Sequence, residues 1–250
     1  MPAYSFAQDA DVDNRPQLRI NRNDRVIRVV QNAPSAEGGE FRLNARCEEG
    51  IRYGTVYAPA PYEVETFVND ARITSQIVIE KRPGGSEDES RLELFGGTLT
   101  IDDATLCPTD IAESETADVT IFEGRTTTTG SRFNYNNAQG LGTLIGPITL
   151  ERTAEGESPA LSATSQSLDI DVDQDVTVLQ GGVQLTSGDR VSAAETVEFD
   201  EQAGMAVLRG DPAESRDGDN VVRGQIIEYD LDSNDVVVRE GISASFELDD

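Results

Sequence analysis

Four aspartates at alternate positions, Asp169, Asp171, Asp173 and Asp175, form a run whose spacing invites a calcium ion. A calcium-binding loop of the EF-hand kind needs Gly at its sixth position and Glu at its twelfth. Counted from Asp169, those positions are Gln174 and Gln180, so no metal site is expected. The interleaved Leu168, Ile170 and Val172 read the run instead as the wet face of a strand. Gly140-x-Gly142-x-x-x-Gly146 resembles a phosphate loop, but the dinucleotide fingerprint requires a helix after it, and Pro147 with more strand pattern follows. These are expected to be turn and bulge glycines. Gly124-Arg-Thr-Thr-Thr-Thr-Gly130 reads as an exposed strand of β-formers. Forty-seven acidic residues leave a glycosidase-type carboxylate pair open, but the chain has no Trp to stack sugars. It has no His either, so Ser and Cys nucleophiles lack an imidazole base, and neither catalysis nor a cofactor is expected. Arg15 to Arg28 holds five Arg and one Asp. That cluster has two readings: forked binding of phosphate or carboxylate groups on a ligand or acidic partner, or, more simply, pairing with the chain's own acids. Cys47 and Cys107 are too few for a zinc site without His and would pair as a disulfide in an oxidising compartment; free thiols remain the alternative.

The 250 residues carry a formal net charge of −27. Such acidity excludes non-specific binding to nucleic acid or anionic membranes, which are themselves polyanions. Charge is uneven: residues 1–152 sum to −9 and 153–250 to −18. Of the 20 basic residues only Lys81 is not Arg, a bias with no functional content. No apolar run approaches the roughly 20 residues that span a bilayer as a helix. Ser5 and Ala7 ahead of Gln8 fit the cleavage end of an export signal, against an equal reading of 1–13 as a plain disordered tail.

Helical periodicity is nearly absent. Pro61 to Ile73 is predicted as one short helix; elsewhere short period-2 runs broken by Gly, Asp and Asn predict antiparallel strands. Thr153 to Pro159 reads as a linker between an N-terminal half (14–152) and a C-terminal half (160–250) expected to continue it. The second half contains a repeat: Gly188–Asp200 aligns without gaps on Gly218–Asp230. Each unit reads apolar, acid, apolar or aromatic, Asp, then a turn, an apolar strand and Gly. Examples are Val197-Glu-Phe199-Asp200 through Met205-x-Val207, Ile227-Glu-Tyr229-Asp230 through Val236-x-Val238, and Ile170-Asp-Val172-Asp173 through Val176-x-Val178. Phe133-Asn-Tyr135-Asn136 is a looser copy. Each unit is a hairpin whose Asp or Asn caps the turn by accepting from the backbone ahead, with Gly204 or Asn234 taking the positive φ. Alternation carried straight through the turn puts Val197, Phe199, Met205 and Val207 on one face. A single hairpin cannot bury such a face, so the hairpins must join into one sheet.

Val221-Val-Arg-Gly-Gln-Ile-Ile-Glu-Tyr-Asp230, continuing to Gly241, with Gly210-Asp-Pro-Ala213 upstream, resembles the OstA-like repeats of the LptA/OstA/LptC-like lipopolysaccharide-transport periplasmic proteins. It departs from that pattern at Arg223-Gly224-Gln225, where Gly-Asp is usual, and at Asp211, where Asn is common. The match covers about 165–248. The resemblance implies an all-β fold, an elongated curled antiparallel sheet (a β-taco or β-jellyroll) of repeated hairpins. It further implies a non-enzymatic periplasmic or envelope protein, exported by a signal peptide ahead of these residues, that shuttles lipopolysaccharide-like lipid towards the outer membrane. Phe133, Tyr135, Val172, Val178, Val197, Phe199, Met205, Val207, Ile227, Tyr229, Val236 and Val238 would line its apolar groove. The expected partners are a lipid or glycolipid and other lipid-transport proteins. These would dock on the last strand through Ile242, Ala244 and Phe246, where an uncovered edge also suits end-to-end self-association. The alternative is a structural or assembly protein of the envelope whose inner face is a filled core.

Overall fold

Period-2 patterning governs the whole chain. In the computed structural model, which describes residues 15–22, 25–156, 158–200, 203–240 and 243–245, the strands are β1 (Gln17–Arg22), β2 (Arg25–Gln31), β3 (Glu40–Glu48), β4 (Ile51–Tyr57), β5 (Val64–Val68), β6 (Ala71–Ser75), β7 (Ile77–Pro83), β8 (Arg91–Phe95), β9 (Gly97–Ile101), β10 (Pro108–Glu113), β11 (Val119–Glu123), β12 (Thr126–Gly130), β13 (Arg132–Asn136), β14 (Leu141–Arg152), β15 (Leu161–Asp171), β16 (Val176–Ser187), β17 (Arg190–Asp200), β18 (Met205–Asp217), β19 (Asn220–Asp230), β20 (Val236–Glu240) and β21 (Ser243–Ser245). Nineteen of them form one antiparallel sheet that does not close into a barrel; β9 and β10 form a separate hairpin. Among the described residues, helix is limited to one 3-10 turn at Ser35–Glu37. The fold is the all-β antiparallel sheet that the alternation predicts, curled as the resemblance implies.

The helix expected over Pro61 to Ile73 is not formed. That segment is the β5–β6 hairpin, with Val64, Thr66 and Val68 buried on one face and Asn69 at φ 52° in the turn. β-branched alternation plus an Asn-Asp turn outweighs a loose i, i+3 pattern.

The sheet parts into two leaves at β14. Leu141–Ile145 pairs with β13, whereas Thr149–Arg152 pairs with β12. One leaf continues β13–β8–β7–β4–β3, and the other β12–β11–β6–β5–β2–β1. From β14 onward each long strand crosses both leaves and bends at a register shift. The shifts fall at Gly146-Pro147 in β14, Gly181-Gly182 in β16 and Gly210 to Pro212 in β18. Gly146 is required by close approach, since a Cβ there would lie 2.4 Å from the Gln166 carbonyl oxygen. Gly181 and Gly210, which seem to end their repeats, are therefore mid-strand bends, where bulges kink a strand, and Gly241 lies outside the described residues.

The thirty-residue repeat is one up-and-down passage of this meander. Tight two-residue turns, Gly188-Asp189 and Gly218-Asp219, close one end. At the other, Asp171, Asp200 and Asp230 each accept backbone N–H groups two or three residues ahead. Two such donors hold the Asp230 carboxyl below its usual range. The segment read as a linker is the loop between β14 and β15, which pair along their length.

The leaves face each other across a continuous core that joins Val78, Leu94 and Phe133 of one to Ile27, Val64 and Ile121 of the other. A second cluster, including Tyr57, Ile77, Phe95 and Leu99, covers the outer face of β4, β7 and β8. Cys47 and Cys107 are disulfide-bonded beside it. In the Arg15–Arg28 cluster, Arg15 pairs with Glu65 at 3.5 Å and hydrogen-bonds Asn32, and Arg28 stacks over Phe67.

Among the described residues Glu80 is the one buried acid, at 1% exposure. Arg82 donates to its Oε1 at 2.7 Å, while Oε2 has no hydrogen-bond partner. Burial raises its pKa above the ordinary 4.5, and the Arg82 charge offsets only part of that. The native state thus holds this proton more tightly than the unfolded chain. Its contribution to stability is complete below 4.5 and is lost as pH rises through the native value. Glu80→Gln, which mimics the protonated form, is expected to lose less stability than the parent between pH 4.5 and 8 in urea titrations. Parallel losses would contradict the shift.

Candidate functional site

The leaves splay apart at one place along the line where their turns meet. The cavity there measures about 1070 Å³, at the upper end of the roughly 300–1,000 Å³ usual for ligand pockets. Ile121 and Thr128 of β11 and β12, with Leu150 and Leu161, form the wall from one leaf. Leu168, Ile170, Thr177 and Phe199 of β15, β16 and β17 form the wall from the other. A narrower extension runs on between Ile73, Phe133, Tyr135 and Val172. Alternation makes the strand walls largely apolar, through Ile121, Leu150, Leu161, Leu168, Ile170 and Phe199, with Thr128, Thr177 and Arg152 among them.

The mouth is polar. It is formed by the β5–β6 turn (Asn69, Asp70), the β11–β12 turn (Glu123 to Arg125), and the β15–β16 turn (Asp173 to Asp175), together with Arg152 and Glu155. Arg125 reaches Glu155 at 3.6 Å and Asp232 at 3.9 Å, while Ser158 donates to Asp232 at 2.6 Å. Asn234 donates to the Ser187 carbonyl, and on the other flank Asn137 donates to the carbonyls of Asn21 and Glu87. Polar contacts between turns therefore fasten the leaf ends on either side of the opening.

Of the twelve residues expected to line a groove, this cavity brings together Phe133, Tyr135, Val172 and Phe199. Val197, Ile227 and Tyr229 lie fully buried in the core, and Val236 and Val238 pack against it half-buried. Val178, Met205 and Val207 sit on the outer face. Even-length turns pair Asp171 with Val176 and Asp200 with Met205, so odd positions before the turn share a face with even positions after it. Val207 therefore lies between Glu198 and Glu228, and Val178 beside Asp169; the inward residues are Ala206, Leu208 and Leu179. Of the C-terminal edge, Ile242 and Phe246 lie outside the described residues, and the backbone at Ala244 pairs with Val222 of β19. The export-signal reading at Ser5 and Ala7 also lies outside them.

Cavity residues absent from the sequence-based set include Ile73, Ile121, Thr128, Leu150, Leu161, Leu168, Ile170 and Thr177. Ile121 and Ile170 belonged to visible alternating runs. Thr128 was assigned to an exposed strand, but β12 is paired on both sides and Thr128 is buried. The four-aspartate run divides in two. Asp169 accepts from Thr143 (2.7 Å) and Gln180 (2.6 Å) along the sheet, Asp171 caps the turn, and Asp173 and Asp175 stand at the cavity mouth.

No protein-family model matches the chain, and no curated protein matches it in sequence. Among solved structures it is similar to the crystal structure of LptH, the LptA-homologous periplasmic component of the conserved lipopolysaccharide transport device from Pseudomonas aeruginosa. The TM-score is 0.42 at 14% identity, over 49% of this chain and 95% of that chain.

Proposed function

We propose that this chain is a non-enzymatic protein of the cell envelope, working in the periplasm, that holds the acyl part of a lipopolysaccharide-like lipid between the two leaves of its sheet. The observation that carries this reading is the apolar cavity between the leaves, open at a polar rim. Acyl chains suit such a lining because burial of apolar surface is non-directional and tolerates sliding. The OstA-like repeat pattern of residues 165–248 supports the same reading from the sequence. Docking of partner transport proteins, or of a second copy, belongs in this proposal at the edge formed by β20 and β21, whose backbone pairs with β19 on one side.

The test is a plug. Val172→Trp places an indole in both the cavity and its extension without adding charge. Mass spectrometry of the purified parent should find co-purified acyl lipid, and the Trp variant, folded by circular dichroism, should retain at least about tenfold less. A parent that carries no lipid, or a variant that keeps it, would favour a structural envelope protein with a filled core.

A further inference from the structure

A separate cavity of about 30 Å³ lies under the bulge of β3, lined by Leu43, Asn44, Arg52, Tyr53, Glu80 and Arg82. That is room for one particle the size of a water molecule. Leu43 and Asn44 fall in a register shift of β3, with Asn44 at φ 59°. Gly54 of β4 keeps the space open, since a Cβ there would stand 2.9 Å from Glu80 Oε2. Two groups in this lining lack a counterpart. Oε2 of the buried Glu80 makes no hydrogen bond, and among the described residues the Arg52 guanidinium makes no ion pair. Glu80 is faced by Arg82 on its own strand (2.7 Å to Oε1), with Glu87 3.6 Å from that guanidinium. From the strands around it come Arg52 and Gly54 on β4, Asn44 on β3 and Leu92 on β8. The Tyr53 hydroxyl is committed to Glu48, and Lys81 and Glu93 alternate to the opposite face, where they pair with each other.

We propose that this small cavity binds one monatomic anion of the chloride class, taken up together with a proton on Glu80. Arg82 holds Oε1 as an acceptor, so the proton goes to Oε2, which then donates into the cavity. With Glu80 neutral, Arg52 and Arg82 are opposed only by Glu87, which is 42% exposed. Surplus positive charge at a partly buried site is costly unless an anion joins it. Each remaining polar group of the wall is then a donor: the Oε2 hydroxyl, both guanidiniums and the Asn44 amide. With Glu80 ionised the charges balance and an anion would meet the carboxylate, so loss of the proton expels it. Burial, which already raises the Glu80 pKa above 4.5, favours the loaded form, and by linkage the anion raises it further. Loading ties the bulge of β3 to β4 and β7.

The test compares the Tm of the whole chain in sodium chloride and in sodium gluconate at one ionic strength, about 0.2 M, so that general screening cancels. Gluconate is too large for the cavity. At about pH 5 the Tm is expected to be at least about 3 °C higher in chloride, the gain from a ligand near tenfold above its Kd. At about pH 8 the difference should fall below about 1 °C. Glu80→Gln carries the neutral form at every pH and should show the difference at both. Arg52→Gln, at a half-exposed position with no ion pair to lose, should fold and show it at neither. The parent and Arg52→Gln decide the matter alone should Glu80→Gln misfold. Equal Tm in the two salts at pH 5 overturns the proposal and leaves one water between Arg52 and Glu80. A chloride difference that is undiminished at pH 8 in the parent removes the proton coupling, and one that survives Arg52→Gln places the anion elsewhere; either overturns it.

Discussion

Replacing Cys47 and Cys107 together by Ser is expected to lower the unfolding free energy by about 4 kcal/mol, the chain-entropy value for a cross-link spanning 60 residues. In a domain of this size that corresponds to a fall of roughly 10 °C in Tm. The effect is large because of what the bond joins. Among the described residues β9 and β10 pair only with each other, and an isolated two-stranded hairpin is marginal in water. β3, which carries Cys47, pairs only with β4 among the described residues. The bridge holds these two weakly supported pieces over the outer cluster of Tyr57, Ile77, Phe95 and Leu99. Beyond it, the hairpin is tied by Arg132 to Glu113 and by the Gly97 N–H to Gln76 (2.6 Å), and exposed ion pairs of the first kind contribute little. Limited proteolysis of the double-Ser variant should therefore cut first within 97–113. A loss below about 1 kcal/mol, with no new cleavage there, would mean that apolar packing alone seats the hairpin. The bond also fits an oxidising compartment, where structural disulfides persist.

The second half of the chain was legible because its structure is local. A repeat of thirty residues, an Asp at the end of each outgoing strand and a φ-tolerant residue before each return specify a meander whose neighbours in space are neighbours in sequence. The first half pairs at long range: β2 with β5, β6 with β11, β8 with β13, and β12 with β14. Alternation identifies such strands without naming their partners, so the division into two leaves at β14 could not be read. The cavity was hidden for the same reason. It is made of turns from both leaves, Asp70, Arg125 and Asp175, that lie far apart in the chain. The helix expected at Pro61 to Ile73 failed where Asn69-Asp70 offered a hairpin turn to β-branched flanks.

Which face a residue occupies is decided by the parity of the turn before it, and one pair of adjacent residues makes this measurable. Leu208 is fully buried, opposite Val197 on one neighbouring strand and Ile227 on the other. Leu208→Asp would bury a carboxylate with no partner among those side chains and remove their packing. A cost of about 5 kcal/mol or more is expected, enough to unfold a protein of ordinary stability. Val207 points the other way, between Glu198 and Glu228, at the half-exposed outer surface. Val207→Asp places a third carboxylate in that row, and cross-strand repulsion of about 0.2–1 kcal/mol per neighbour is the main expected loss. This variant should fold. Val207→Lys should do better than Val207→Asp, because the same two glutamates then attract, whereas Leu208→Lys should fail like Leu208→Asp. Alternation carried straight through the turn from Phe199 predicts the reverse order, with position 207 intolerant and 208 permissive. Urea denaturation of the four variants distinguishes the two registers. An intolerant 207 beside a tolerant 208 would mean that Asp200 does not pair with Met205, and the inward face of β18 would have to be redrawn.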